Sequence, residues 1–410
     1  MEEYQAKFCG EHIGRGKYLD NQELCNILSQ VVSCSSVFGN EGDCGRLLEK
    51  IASENGLKTE IVKTSADDRF NVMITLGAES FLEKKNGFLI HGHYDTVPVL
   101  DMPDPFNTAI VDHTRMCGRG IVDQKSGLVA ALCAAIAMKR SGKVLKKPLC
   151  IACVIDEESE HRGSYALAQT GVKAEWGMVT EPTNGHCEFG CKGTTPIMIT
   201  VKGRTAHASN PWVGVNAIEK SLPILEGLFG MKFAEVDLKE LGVYRGTLCV
   251  SEMNAGTAYN NVPGEAVIWM DRRTVPGENS KLALQQVNDV IEAAKKKVPD
   301  LQASAKIARP DWHWPAIMER GLNPTCMSAD CELYNILNRA VMKMGDPAVE
   351  KRYCNGYNDM DFLVNDLGIP TLVYGSGDGS MSHTAHEEVE IDKVCKVAEA
   401  FCNMTEEICL

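Results

Sequence analysis

The sequence lacks an uninterrupted apolar run long enough to cross a lipid bilayer. Its longest apolar stretch, around Leu128 to Met138, is interrupted by small residues and falls short of the roughly 18 residues that a membrane span requires. The start of the chain, Met-Glu-Glu-Tyr-Gln, lacks the basic segment and the apolar segment of an export signal. We therefore expect no membrane association and a cytoplasmic location.

The sequence also has fewer basic than acidic residues. The 42 basic residues are outnumbered by 55 acidic ones, which gives a formal net charge of −13. Such a chain repels phosphate backbones, so we expect no nucleic-acid partner. One dense basic cluster, Lys295 to Lys297, ends a helical pattern where a helix C-terminus favours cations, and we interpret it as a solvated helix end.

The cysteines do not form a disulfide pattern. There are 17 of them, an odd number scattered along the chain, and without an export signal they indicate reduced thiols. Cys150 and Cys153 have the spacing of a redox motif, but both lie inside the apolar run from Pro148 to Ile155. We interpret them as small apolar residues of a buried strand.

Length and pattern predict two domains. At 410 residues the chain exceeds the roughly 250–300 residues that a single core usually serves, and no internal repeat is visible. In the first half, helical patterns alternate with short apolar strands at 87–91, 149–155 and 176–180. This alternation predicts an α/β fold whose largely parallel sheet is covered by helices.

The pattern changes after Cys191. The change predicts an inserted α+β unit at 193–308, between two parts of the larger domain at 1–192 and 309–410. The predicted elements of the insert are strands at 195–202, 246–253 and 265–271 and helices at 217–229 and 280–297. The last predicted elements of the larger domain are a helix at 330–344, a strand at 370–374 and a helix at 392–407.

Polar side chains able to bind a metal lie where strands of the larger domain end. In open α/β sheets, ligands bind at the carboxyl ends of the strands. Imidazoles and carboxylates gathered there would build a nitrogen-and-oxygen site suited to zinc. The candidates are His91, His93, Asp95, Asp123, Glu157, Glu158, Glu181 and His383.

Taken singly, several candidates also fit an ordinary structural role. Glu157 and Glu158 are typical of a solvated loop, and Asp123 stands just before an apolar helical run, which suits a helix N-cap. His91 and His93 are two residues apart and share one face of a strand, so their spacing leaves open which one binds metal.

The order of the blocks around these residues is more specific. The blocks are Gly-His93-Tyr-Asp95-Thr-Val-Pro, Gly-Arg-Gly-Ile-Val-Asp123-Gln-Lys, Asp-Glu157-Glu158, Thr-Glu181-Pro-Thr, Gly-Arg-Thr-Ala-His207-Ala-Ser, Asn261-Val-Pro-Gly, Asp-Arg-Arg273 and His383-Thr-Ala-His-Glu387. Over nearly the whole chain they resemble the di-zinc family of acetylornithine deacetylase, succinyl-diaminopimelate desuccinylase and glutamate carboxypeptidase.

The resemblance implies a zinc-peptidase-like fold with two zinc ions per chain, for which cobalt or manganese ions can substitute. The family places an Asn or Asp, followed by Glu, shortly after its last ligand His. His386 stands at that Asn or Asp position, which implies His383 as the ligand and leaves His386 as the alternative. The implied ligands are Asp123 bridging both ions, His93 and Glu181 on one ion, and Glu158 and His383 on the other.

The implied activity is hydrolysis of an amide bond in a small N-acyl amino acid. Water between two divalent cations has its pKa lowered from 15.7 to about 7, which supplies a bridging hydroxide near neutral pH. Glu157 would act as the general base and then protonate the departing amine. Asp95 would orient His93.

The resemblance also identifies the insert as a lid and dimerisation domain, and it implies a homodimer. His207 would reach the site of the neighbouring subunit and stabilise the developing oxyanion. Asn261 and Arg273 would bind the small-molecule substrate, with the fork of Arg273 donors holding a carboxylate. Arg272 points the other way on its strand, and we expect it to form a structural ion pair.

Three alternatives compete with this function. A dipeptidase, aminopeptidase or carboxypeptidase of the same family would use the same ligands. Two-metal phosphoryl transfer would need cationic clamps, and the arginines near the ligand blocks are Arg115, Arg119 and Arg162. A binding protein without activity would have no use for Glu157.

The segment from Gly356 to Phe362 departs from the family's Gly-Thr-Asp-Ala-Arg-Phe. Tyr357 replaces a small hydroxyl residue, and Asp361 replaces a cation. If this segment lines the pocket, the exchanged charge disfavours a second substrate carboxylate. The alternative is that Asp361 has a structural partner.

Overall fold

The computed structural model describes residues 18–66, 68–83, 86–111 and 114–410. The start of the chain, on which the expected absence of an export signal rests, lies outside these residues. The chain forms two compact units. The first extends to Gly190 and resumes with Met327–Cys354 and Asn358–Leu410, and the second comprises Cys191–Cys326 and Asn355–Tyr357.

The first unit contains a large mixed sheet and a small antiparallel one. Elements are numbered in chain order across both units. The strands of the first unit are β1 (Lys58–Lys63), β2 (Phe70–Leu76), β3 (Phe88–His93), β4 (Ala109–Val111), β5 (Arg115–Cys117), β6 (Leu149–Val154), β7 (Trp176–Val179), β8 (Cys187–Cys191), β18 (Lys351–Cys354), β19 (Thr371–Val373) and β20 (Glu388–Glu390).

The middle of the large sheet is parallel. Strands β6, β3, β7 and β19 lie side by side in that order and run in one direction, so the predicted parallel sheet is confirmed at its centre. The flanks are antiparallel, with β2 and β1 on one side and β8 on the other. Strand β6 reads Leu-Cys-Ile-Ala-Cys-Val and is buried along its length, as expected for a strand covered on both faces.

Helix α3 is buried along most of its length. Every residue from Ser126 to Met138 is buried, and the helix packs against α1 and α9. The helical segment Ile121–Arg140 contains an 18-residue stretch with the length and apolar composition of a membrane span, but 94% of that stretch is buried inside the protein, as in a core helix. The helices of this unit are α1 (Asn21–Ser33), α2 (Gly42–Glu54), α3 (Ser126–Arg140), α4 (Arg162–Gln169), α8 (Glu332–Met342) and α9 (Ile391–Cys409).

The second unit is built on a four-stranded antiparallel sheet. Alternate residues of two neighbouring strands, such as Ile199 and Ile268, form one buried cluster with Ile224 and Val287 of two helices. The elements are β9 (Gly193–Lys202), β10 (Ala206–His207), α5 (Ala217–Phe229), β11 (Glu235–Asp237), β12 (Val243–Arg245), β13 (Thr247–Ala255), β14 (Asn261–Val262), β15 (Glu265–Thr274), α6 (Ser280–Lys297), β16 (Gln302–Ile307), α7 (Pro315–Arg320) and β17 (Thr325–Cys326). The main sheet has the order β13-β15-β9-β16.

The insert ends later than predicted. We expected its last residue at 308, whereas the second unit continues to Cys326. The extra segment is held to this unit by hydrogen bonds: Thr194 N–H donates to Leu322 O at 3.1 Å, and Ser280 N–H donates to the side-chain Oδ1 of Asn323 at 3.1 Å. These bonds fasten the segment to β9 and to the first turn of α6, so the boundary requires correction.

The predictions of a buried strand for Cys150 and Cys153 and of a helix end for the basic cluster are confirmed. Sixteen cysteines lie in the described part of the chain, and all of them are free thiols. Cys150 and Cys153 are buried in β6, and burial raises the pKa of both thiols, that of Cys150 to about 12. Lys295 to Lys297 form the last turn of α6.

The first turn of α3 lies against the end of β7. A Cβ atom added to Gly127 would lie 2.3 Å from the carbonyl oxygen of Thr180. We expect Gly127→Ala to lower the free energy of unfolding by roughly 1–3 kcal/mol, because the backbone of α3 or β7 has to shift. Denaturant unfolding followed by circular dichroism measures this loss.

The control for that variant is Gly230→Ala at the C-terminal end of α5. The backbone of Gly230 is helical, with φ −80° and ψ −10°, so alanine fits there without strain. We expect this variant to change the free energy of unfolding by less than about 0.5 kcal/mol. Equal losses in the two variants would contradict the close approach at Gly127.

Candidate metal centre

Side chains from distant parts of the chain meet at the carboxyl edge of the parallel strands. Parallel strands end at one edge of their sheet, and the loops that follow them therefore lie together. The metal-binding candidates that follow strands are His93 at the end of β3, Glu157 and Glu158 after β6, Glu181 after β7 and His383 after β19; Asp123 precedes α3.

The carboxylate of Asp123 lies between two imidazoles. Its Oδ1 is 3.2 Å from His93 Nε2, and its Oδ2 is 3.5 Å from His383 Nε2. A further carboxylate accompanies each imidazole: Glu181 Oε1 is 3.9 Å from His93 Nε2, and Glu158 Oε1 is 3.0 Å from His383 Nε2. The five predicted ligands therefore form two groups that share Asp123.

These distances fit two bound cations. Donors placed 2.0–2.1 Å from a tetrahedral zinc ion are separated from each other by roughly 3.3 Å. The four donor pairs here span 3.0 to 3.9 Å. Nitrogen and carboxylate oxygen donors suit several divalent transition metals, zinc among them, so the side chains fit a dinuclear centre without selecting its metal.

His93 is held with Nε2 towards the other donors. Its Nδ1 donates to the backbone carbonyl oxygen of Asp95 at 3.1 Å and lies 3.4 Å from Asp95 Oδ1. A proton on Nδ1 leaves the Nε2 lone pair for a metal. Asp95 Oδ2 also accepts the backbone N–H of Glu158 at 3.0 Å, so Asp95 fixes two parts of the centre.

The carboxylates of the centre repel one another. Burial and then the charge of Asp123 raise the pKa of Glu158, and they raise that of Glu181 well above its usual value. Burial would raise the pKa of Asp123 as well, but its hydrogen bonds with His383 and His93 hold it below the usual range. Divalent cations would remove this repulsion, which is a second way in which the side chains fit them.

Glu157 lies beside a second group of polar side chains. Ligand atoms of Glu157, His161 and Asp359 are within 4.8 Å of one another. Burial, followed by the charge of Glu181, raises the pKa of Glu157 well above its usual value. Asp359 Oδ1 is 2.9 Å from His161 Nδ1, and Asp359 Oδ2 accepts a hydrogen bond from Ser164 Oγ at 2.6 Å.

The two histidines of β3 have different surroundings. His93 joins the donors around Asp123, whereas His91 Nε2 is 2.7 Å from Ser164 Oγ and 3.9 Å from Asp359 Oδ2. Burial lowers the pKa of His91 to about 4, which keeps its ring neutral. The sequence did not reveal this network, because its members come from β3, from α4 and from the segment before Phe362 and carry no common motif.

Two further contacts support the ligands. Gln124 Nε2 donates to Glu181 Oε1 at 2.6 Å. Arg119 and Glu387 form a fully buried ion pair, and Glu387 Oε2 also accepts the backbone N–H of Val122 at 3.4 Å. Arg119, Gln124 and Glu387 lie within the blocks recognised in the sequence, but the blocks do not indicate which partner each residue contacts.

Two interpretations from the sequence require correction. Asp123 is not the N-cap of α3, which begins at Ser126 and has no side-chain cap. Asp361 is fully buried, and its Oδ1 accepts a hydrogen bond from Asn365 Nδ2 at 2.7 Å. Asp361 therefore has a structural partner, and it gives no indication of the charge of the substrate.

His207 and Asn261 are direct neighbours in the second unit. They lie opposite each other where β10 pairs with β14. The backbone N–H of Ser209 donates to His207 Nδ1 at 3.1 Å. In the neutral ring the proton is therefore on Nε2, which leaves the exposed imidazole as a hydrogen-bond donor.

Arg273 and Arg272 lie on opposite faces of β15. Arg273 is partly exposed, and its Nε donates to Asp271 Oδ2 at 2.8 Å. Arg272 is fully buried, and its Nη2 is 2.5 Å from Glu278 Oε1. The prediction of a structural ion pair for Arg272 is confirmed.

The α/β domain places imidazole and carboxylate donors at the edge of its parallel strands, in two groups around a shared carboxylate. Such an arrangement is typical of a dinuclear metal hydrolase. A family model described as peptidase family M20/M25/M40 matches residues 89–407. The chain therefore belongs to peptidase family M20/M25/M40, whose members are metal-dependent hydrolases of amide bonds, and the resemblance seen in the sequence is confirmed.

Individual relatives agree with this family. Succinyl-diaminopimelate desuccinylase from Corynebacterium glutamicum is 27% identical over 315 residues, which cover 76% of this chain and 78% of that protein. Aminopeptidase PepT from Bacillus cereus has a TM-score of 0.75 at 19% identity, covering 95% of this chain and 99% of that one. A dinuclear metal-binding peptidase of the M20 family from Bacillus subtilis has a TM-score of 0.68 at 15% identity, covering 94% and 97%. The structural likenesses confirm the predicted fold class.

The side chains of His383 and His386 have different surroundings. His383 Nε2 faces two carboxylates of the centre, whereas the hydrogen bonds that the described residues make with His386 involve its backbone. We expect His383→Ala to weaken the binding of one metal ion by more than about tenfold, because a direct donor is lost. Elemental analysis after dialysis against a metal buffer measures the occupancy. The control, His386→Ala, should keep two ions, and equal losses in both variants would contradict the assignment.

Proposed function

We propose that this chain hydrolyses the amide bond of small N-acyl amino acids and uses two zinc ions as its cofactors. The observation that carries the proposal is the division of five ligand side chains into two groups around Asp123, with Glu157 left beside them. A purely structural metal site has no use for a spare carboxylate. A hydrolase needs one to move protons.

The side chains have distinct parts in this reaction. Divalent cations, when bound, polarise the amide carbonyl and lower the pKa of water. Glu157 accepts the proton of the attacking water and delivers it to the departing amine nitrogen. Asp95 keeps the proton of His93 on Nδ1, and Gln124 holds the carboxylate of Glu181 in place.

Phosphoryl transfer is less well supported than amide hydrolysis. It requires cationic side chains that are available to clamp a phosphate group. The arginines near the ligand blocks are instead paired with carboxylates: Arg115 with Glu388, Arg119 with Glu387, and Arg162 with Glu160.

The substrate class has two candidates. The desuccinylase from Corynebacterium glutamicum, at 27% identity, supports an N-acyl amino acid. Arg273 is partly exposed and bonds to Asp271 through Nε, so its Nη groups can donate to the substrate carboxylate. Aminopeptidase PepT, with a TM-score of 0.75, favours the second candidate, an unblocked peptide. The two candidates differ in whether the substrate amine is acylated.

A substrate panel separates these candidates. We expect N-acetyl and N-succinyl amino acids to have a kcat/KM at least about tenfold above that of dipeptides with a free amine, which corresponds to about 1.4 kcal/mol of transition-state binding. Release of primary amine measures the rate. The opposite preference would establish the peptidase candidate, and no turnover of either class by the fully metallated protein would refute both.

The control for the panel is Glu157→Gln. This change is nearly isosteric and removes the proton acceptor, so turnover should fall at least ~10²-fold while both metal ions stay bound. Loss of metal together with activity would make Glu157 a ligand rather than a base.

We further propose a homodimer formed through the second unit, in a cytoplasmic protein. Ile218, Leu222 and Phe229 of α5 are 41%, 58% and 70% exposed, and Trp212 just before this helix is 76% exposed. Apolar side chains exposed in such number mark an interaction surface. A second copy of this chain fits, because two-fold symmetry places the same patch on both partners. The free thiols of the described cysteines support the location.

In such a dimer, His207 of one subunit would serve the metal centre of the other. His207→Ala and Glu157→Gln subunits should each be inactive as homodimers, whereas a mixed dimer should regain activity at the one site that has both groups. Activity of mixed dimers, verified by native mass spectrometry, measures this. Absence of recovery in verified mixed dimers would refute a shared site.

A further inference from the structure

A cavity of about 320 Å³ opens in the first unit, and none of the candidate metal ligands lines it. Its walls come from the loop between β7 and β8, the loop between α8 and β18, the end of β19 and the first turns of α9. The proposed reaction does not use this cavity. Its lining nevertheless combines charged, hydroxyl and apolar groups.

Both signs of charge line the cavity. Lys393 Nζ donates to Asn184 Oδ1 at 2.9 Å and to Glu390 Oε1 at 2.8 Å. Lys396 Nζ is 3.0 Å from Asp346 Oδ1 and pairs with one more carboxylate on its own helix. An ammonium group has three N–H donors, so each lysine keeps one for a ligand. The ion pair of Asp346 uses Oδ1, and within the described residues its Oδ2 forms no hydrogen bond or ion pair and is available to a ligand.

Tyr374 adds a buried hydroxyl to the cavity wall. It is only 4% exposed, and its ring packs edge-on against Phe401 at 6.2 Å. Tyr374 lines the cavity and supplies a hydroxyl that can donate and accept a hydrogen bond. Asp346 lines the same cavity, and burial followed by the charge of Asp346 raises the pKa of Tyr374.

Apolar side chains complete the wall. Val341, Pro347 and Val397 line the cavity beside the charged groups. We infer that this cavity binds a free α-amino acid with an apolar side chain. Lys393 and Lys396 bind its carboxylate, Asp346 and the Tyr374 hydroxyl bind its ammonium group, and the apolar wall receives its side chain.

A ligand with a single charge fits this lining less well. An anion without an amine offers no donor to Asp346 Oδ2, and a cation without a carboxylate offers no acceptor to the third N–H of each lysine. A zwitterion pairs with both. The cavity volume of about 320 Å³ is enough for an amino acid with an aliphatic or aromatic side chain.

The inference rests on the proposed function, because such an amino acid is a product of the proposed hydrolysis. The occupant would also touch segments that lead to the metal centre. Asn184 N–H donates to Gly377 O at 2.7 Å. Thr183, which lies two residues after Glu181, forms hydrogen bonds through Oγ1 to the backbone of Gly375. The cavity is thus placed where product could be sensed through the loop of Glu181.

Calorimetric titration of the full-length, metal-loaded protein tests the site. L-leucine and L-phenylalanine are the probes, and 3-methylbutylamine and 4-methylpentanoate are the matched ligands that lack the carboxylate or the amine of leucine. We expect saturable binding of the amino acids and at least about tenfold weaker binding of both analogues, because each analogue lacks one of the two charged groups that the cavity would bind. Equal binding of an analogue, or no saturable binding of either amino acid at millimolar concentration, would overturn the inference.

Variants locate the binding within the molecule. Asp346→Asn and Tyr374→Phe should each weaken L-leucine binding, the first by about tenfold or more, while kcat and KM for the amide substrate stay unchanged. Tyr374→Phe removes one oxygen atom and keeps the ring packed on Phe401, so the fold is preserved. The control is Lys143→Met, whose amine pairs with Glu406 at 2.7 Å elsewhere on the surface, and it should bind as the wild type does.

The outcomes separate this inference from the proposed function. Undiminished binding in both cavity variants would place the amino acid elsewhere, including the metal centre, and would refute the cavity site. Binding that the cavity variants abolish, in a protein that hydrolyses no amide, would uphold the site and refute the proposed function.

Discussion

The carboxylate of Asp123 is the contact on which the rest of the centre depends. Each of its two oxygens faces a different imidazole, that of His93 or that of His383, and the other donors are arranged around these two pairs. Burying so many charged groups is costly unless each has a partner. The parallel strands of the sheet meet this requirement, because their carboxyl ends bring donors from separate loops to one edge.

The supporting contacts can be understood from the same constraint. A ligand that moves by an ångström no longer shares a cation with its neighbours, so the side chains behind the ligands have to be fixed as well. Asp95 fixes the ring of His93, and Gln124 fixes Glu181. These contacts are required to hold the ligands in place, whether or not the residues that form them take part in catalysis.

Much of this arrangement could be predicted from the sequence, for a physical reason. Buried parallel strands such as β6 are continuous apolar runs, and ligands follow them directly. Strand β1, which reads Lys-Thr-Glu-Ile-Val-Lys and is largely exposed at the sheet edge, has no such pattern and was not predicted. The contacts of Asp359 and Asp361 were not predictable either, because they depend on which segments meet in space. The end of the insert was misplaced because hydrogen bonds, rather than apolar periodicity, attach that segment.

The buried pair of Arg119 and Glu387 joins residues that are 268 positions apart in the chain. During synthesis the loop of Asp123 leaves the ribosome long before the loop of His383, and the whole second unit is made between the two. A nascent chain can therefore present four of the five predicted donors before the second unit is made, but it cannot close the centre until His383 has followed. Completion of the predicted centre therefore depends on the last part of the chain.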